Sequence, residues 1–178
     1  MSAGAALERD SAEHRQAIAD CAAAIRTVAR SDWDRRPAER KWSPAEIAEH
    51  LAIAYEPPLS ELNGGPGFRM VVPWWKRPLL RWTVLPGIRR GRFPSGAPAP
   101  REIRPASGSA DPEQAAARLS EQAERFLGAL EASCRERTVR LTHAYFGKIG
   151  ARDVVRLLTS HARHHGRQLS PPISTAPR

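Results

Sequence analysis

Ten of the 16 prolines and seven of the 12 glycines fall between residues 57 and 110. A stretch so rich in residues that interrupt regular backbone admits no long helix and no central strand. It leaves residues 1–56 and 111–178 to form the long elements, joined by an irregular connection. Inside that connection, Met70 to Trp75 and Leu79 to Leu85 are the segments suited to short extended or helical pieces. A structureless loop of such length is unusual in a compact domain, and Trp74, Trp75, Trp82 and Phe93 suggest that this one packs down on the rest.

The flanking regions read as helices. Ala12, Ile18, Ala22, Ile25, Val28 and Ala29 recur at helical spacing and predict a helix from about Asp10 to Arg30. Ser43, Pro44 and Glu46 form the signature of a capped start, and Ile47, His50, Leu51 and Ala54 then share one stripe, with Pro57 and Pro58 ending or kinking the helix. Asp111 and Pro112 open a third helix to about Cys134, striped by Ala116, Leu119, Ala123, Phe126, Leu127 and Leu130. After a turn containing Tyr145, Phe146 and Gly147, a fourth runs from Arg152 to Leu169 with Val154, Leu157, Leu158, His161, His165 and Leu169 on one face. The expectation is an all-α protein, a four-helix bundle in a single domain over residues 1–170. Residues 57–110 form its long crossover between helices 2 and 3, and 171–178 a flexible tail.

The net charge of +9 invites a nucleic-acid reading. Its distribution argues otherwise. Residues 57–110 hold 9 basic and 2 acidic side chains, residues 1–56 hold 8 and 10, and residues 111–178 hold 11 and 7. The excess belongs mainly to the crossover, where Arg69, Lys76, Arg77, Arg81, Arg89, Arg90 and Arg92 interleave with tryptophans. These residues suit a phosphate backbone or anionic surface, a packed cover with solvated cationic heads, or a basic rim drawing an acidic small-molecule substrate to a pocket. No defined nucleic-acid module is recognisable, so nucleic acid is the weakest of these partners. No window is apolar enough to span a membrane, and no membrane partner is expected. Cys21 and Cys134 are too far apart for a CxxC site, and Met1 to Asp10 lacks an export-leader pattern, so a cytoplasmic location is expected.

Three of the six histidines lie on the apolar stripes. His161 and His165, four apart, project from one helical face about one turn from each other, a spacing that suits chelation of one metal ion. His50 lies among Ile47, Leu51 and Ala54. Each alone has a plain alternative, an exposed or hydrogen-bonded pair and a satisfied core histidine. Their common placement on inward faces favours a metal site, because burying three unpartnered imidazoles is costly.

The segments Lys41-Trp-Ser-Pro-Ala-Glu-Ile-Ala-Glu-His50-Leu and His161-Ala-Arg-His-His165-Gly-Arg-Gln168-Leu resemble the two signature regions of the DinB-like superfamily. The approach to the last helix, Leu141-Thr-His-Ala-Tyr-Phe-Gly-Lys-Ile, is similar to a subgroup pattern, with Ala144 where that pattern has proline. The resemblance implies a four-helix bundle with His50, His161 and His165 as the ligands of a divalent metal. It also implies an activity of the type found among members, which include transferases using glutathione, mycothiol or bacillithiol and a maleylpyruvate isomerase. A metal-dependent transferase or hydrolase is expected, with a low-molecular-weight thiol as a candidate cofactor and a non-catalytic metal- or anion-binding protein as the alternative. Zinc and nickel lead the candidate ions, and iron, copper and manganese remain compatible with the ligands. Gln168, His143 and Tyr55 are further pocket candidates, each with an ordinary structural alternative, and His164 should face solvent. A homodimer is compatible with the tryptophan-bearing crossover.

Overall fold

The first long helix, α1 (Ala3–Thr27), buries Leu7, Ser11, His14, Ile18, Cys21, Ala22 and Ile25 at three- and four-residue intervals. This corrects the expected stripe: Ala12 and Ala29 are exposed, and two of the inward positions are polar. In a computed structural model that describes residues 3–90, 92, 99–106 and 111–169, α1 lies against two later helices. These are α6 (Pro112–Glu136) and α7 (Ala151–Leu169).

The second helix starts where its cap predicts. Ser43 Oγ accepts from the Glu46 N–H at 3.2 Å, and a Glu46 carboxylate oxygen accepts from the Ser43 N–H at 2.8 Å, with Pro44 in the first turn. This helix, α2 (Pro44–Ile53), packs against both α6 and α7. The break comes slightly before the proline pair, at Ala54 and Tyr55. A short α3 (Glu56–Leu62) then takes Pro57 and Pro58 into its first turn, where a missing N–H leaves no hydrogen bond unmade. Asp111 caps α6 by accepting from the Gln114 N–H at 2.9 Å. The buried faces of α1, α2, α6 and α7 meet in one cluster that includes Ile18, Ile25, Leu51, Leu119, Phe126, Leu127, Leu130 and Val155.

The protein is mostly helical, as expected, with one small two-stranded sheet that the all-α expectation did not include. Two four-residue strands, β1 (Arg140–His143) and β2 (Gly147–Gly150), pair antiparallel with Leu141 opposite Ile149 and His143 opposite Gly147. Gly147 closes the turn at φ +69°, which a side chain would disfavour. At four residues each, these strands sit at the lower limit at which alternation is readable.

The crossover is also more regular than its composition predicts. A 3-10 turn at Trp74–Lys76 leads into α4 (Arg77–Thr83) and α5 (Leu85–Arg89), and a second 3-10 turn covers Arg101–Ile103. Pro78 and Pro86 each sit in the first turn of a short helix, so proline sets element starts here. Leu85 and Ile88 join the main core, whereas Trp74, Trp75 and Trp82 are exposed and do not pack down as expected. The expectations for Phe93 and the tail 171–178 concern residues outside those described. No helix of the described residues is long and apolar enough to cross a membrane.

Candidate metal centre

Capping at Ser43 sets the phase of α2, and Arg36 reinforces it by pairing with Glu46 and holding that carboxyl below the usual range. That phase turns His50 inward, toward the face of α7 that carries His161 and His165. The three imidazoles are buried, and one nitrogen from each lies within 4.8 Å of the other two. His50 Nε2 and His161 Nε2 are 2.8 Å apart, and the ring centres of the three residues are separated by 4.7, 5.0 and 4.8 Å.

Outer contacts orient the rings. His50 Nδ1–H donates to the carbonyl of Ile103 at 2.6 Å, and His165 Nδ1–H donates to Gln168 Oε1 at 2.9 Å. A carbonyl oxygen only accepts, so the proton of each ring sits on Nδ1 and the Nε2 lone pair faces the cluster. The Gln168 amide then donates to His164 Nε2 at 3.1 Å. Trp42 covers the group, its ring centre 4.6 Å from that of His50 and 6.1 Å from that of His165, onto which it stacks. Burial is the first cause that pushes His50 down to about 4 and His165 to about 3, and it takes His161 well below 6.5. All three are therefore neutral at pH 7, as metal ligation requires. Three neutral imidazoles whose nitrogens converge within 4.8 Å, two of the rings held by outer partners, fit a divalent cation of borderline character.

The cluster opens on a cavity of about 560 Å³. Leu80, Val84, Ile88 and Ile103 of the crossover, Phe146 and Ile149 of the hairpin, and Val154 and Leu157 of α7 line much of it. Arg40 is the one lysine or arginine among the described lining residues, and among those residues the crossover contributes no cation to the cavity wall. What the crossover supplies is apolar wall and the Ile103 carbonyl.

The remaining candidates separate. His143 lines the cavity from β1, half-buried and stacked on Phe146 with ring centres 4.7 Å apart, and burial lowers it to about 4. His164 also lines the cavity and is half-buried, where solvent was expected. Tyr55 stands apart in the core. Its hydroxyl donates to His14 Nε2 at 2.9 Å, His14 Nδ1–H donates to Thr159 Oγ1 at 3.1 Å, and Thr159 donates to the Val155 carbonyl at 2.8 Å. Sequence reasoning missed Trp42, although it lies in the Ser43 motif. It also missed the carbonyl of Ile103, which no side-chain pattern marks.

Neither the curated proteins nor the solved structures give a match to the chain. The family model described as the DinB superfamily matches residues 13–169, a span that contains α2, α6, the hairpin, α7 and all three clustered histidines. With the match covering most of its length, the chain belongs to the DinB superfamily.

Proposed function

We propose that His50, His161 and His165 bind one divalent metal ion, zinc or nickel, in a four-helix bundle formed by α1, α2 with α3, α6 and α7. We further propose that the protein is a metal-dependent transferase or hydrolase. The observation that carries this reading is the convergence of three buried, neutral imidazoles, two of them fixed through Nδ1 by the oxygens of Ile103 and Gln168. When bound, such an ion supplies a Lewis acid that polarises a carbonyl and lowers the pKa of water or of a thiol. With three protein ligands, such an ion would keep a position open to water or substrate, as catalytic sites do.

The chain's own contribution is orientation and exclusion of water. Ile103 and Gln168 hold two ligand rings in place, Trp42 covers them, and the apolar walls admit the apolar body of a small substrate. Arg40, Tyr145 and the half-buried His143 and His164 are among the polar lining groups at hand to orient it. Free Cys21 and Cys134 suit a cytoplasmic setting in which a low-molecular-weight thiol is available as co-substrate.

Elemental analysis of protein purified without a histidine tag tests the site. About one ion per chain is expected, with loss in the combined His50→Ala, His161→Ala and His165→Ala variant shown by circular dichroism to be folded. Undiminished metal in that variant overturns the ligand assignment. Metal-loaded protein is then screened against thiol-acceptor and ester or amide substrates, and turnover of one class that the triple variant lacks establishes the enzyme.

A further inference from the structure

Every large hydrophobic side chain that the described residues expose lies within one twelve-residue window. These are Val71, Trp74, Trp75, Leu79 and Trp82, with the three tryptophans 75, 61 and 81% exposed. Soluble surfaces scatter such residues singly, and a contiguous group marks a contact site. α4 is two-sided: Leu80, with Val84 just past its end, faces the cavity, while Leu79 and Trp82 face outward.

Charge identifies what the outward side meets. From residue 62 to residue 101 the chain has eight lysines and arginines and no acidic residue. Lys76 and Arg81 are exposed within the patch, and neither has an acidic partner among the described residues. Lys76 Nζ lies 4.8 Å from the centre of the Trp75 ring. Trp74, Arg77, Arg81 and Trp82 border a surface groove of about 460 Å³, in which Lys148 is already paired with Glu61.

We propose that this face is a peripheral docking surface for an anionic lipid bilayer. Trp74, Trp75, Leu79 and Trp82 enter the boundary between headgroups and acyl chains, and Lys76 and Arg81 engage lipid phosphates. Indole rings favour that boundary because they join an apolar body to an N–H donor, and clustered cations are drawn by the negative surface of the bilayer. Neither signal alone anchors a protein firmly, and here both occupy one short segment. A second copy of the chain fits poorly, since symmetric pairing of this face sets cations against cations. Single-stranded nucleic acid would stack on the indole faces but leaves the exposed aliphatic Val71 and Leu79 in water, whereas a bilayer boundary covers both kinds of side chain. The absence of a helix able to cross a bilayer is a separate matter from surface contact. The proposal is independent of metal at His50, His161 and His165.

Full-length protein is sedimented with phosphatidylcholine vesicles, with and without a one-third share of phosphatidylglycerol, at low and high salt. Binding is expected with the anionic vesicles, weakened by salt, and with tryptophan fluorescence quenched by brominated acyl chains. The pairs Trp74→Ser with Trp82→Ser, and Lys76→Glu with Arg81→Glu, each lower the partition coefficient about tenfold or more while circular dichroism is unchanged. No binding to anionic vesicles at low salt overturns the proposal, as does binding by both double variants equal to that of the unaltered protein. Capture of an oligonucleotide by these residues without vesicle binding, or self-association that the variants abolish, also overturns it by assigning the face to another occupant.

Discussion

His14 shows how much one buried side chain carries. It sits on the inward stripe of α1, fully enclosed, and passes a hydrogen-bond chain from Tyr55 through Thr159 to the backbone of α7. Both ring nitrogens are used in the neutral form, so protonation would force the Tyr55 hydroxyl to turn from donor to acceptor. Burial lowers its pKa from 6.5 to about 4, with Arg15 and Arg163 adding to the shift. The unfolded chain therefore takes up a proton between pH 6.5 and about 4 that the native protein refuses. Stability from this residue is complete above pH 6.5 and falls by about 3 kcal/mol as the pH drops to 4. Urea unfolding across that range, for the protein and for His14→Gln, should show the stability gap between them narrowing toward low pH. A constant gap would show that His14 does not carry the effect. Three of the four histidines in the cluster and this network were readable as inward-facing from spacing alone, whereas His14 was not, because a polar stripe position looks like a break in the apolar pattern.

At the scale of elements, helix starts were the most legible features. Ser43 and Asp111 each present a side-chain acceptor before a proline, and each caps the helix expected of it. Loss of the cap in Ser43→Ala should cost about 1 kcal/mol, a fall in melting temperature of roughly 2–4 °C, while Ser43→Asp retains most of the stability. Equal losses in the two variants, measured by scanning calorimetry, would mean that the hydroxyl does not act as a cap. The hairpin and the short crossover helices were hidden for a different reason. Four residues of strand or seven of helix do not complete enough periods to be recognised, and proline, read as a breaker, also begins short helices.

For the whole molecule, four long faces meet in one core while the crossover divides its side chains between cavity wall and solvent. Leu127 is fully buried in that core, so Leu127→Ala should destabilise the protein by about 3 kcal/mol. The same truncation at Leu79, 60% exposed, should stay within about 0.5 kcal/mol. Chemical denaturation of the pair checks the burial pattern, and similar losses at both positions would contradict it. The sequence by itself determined the caps, the main stripes of α2, α6 and α7, and the inward position of His50, His161 and His165, because these follow from local spacing along a helix. Only the tertiary structure decided that the Ile103 carbonyl fixes His50, that Tyr55 serves His14 rather than the cavity, and that the tryptophans of the crossover face outward. Those outcomes depend on which distant backbone or helix face lies opposite, and a residue's own neighbours in sequence carry no record of that.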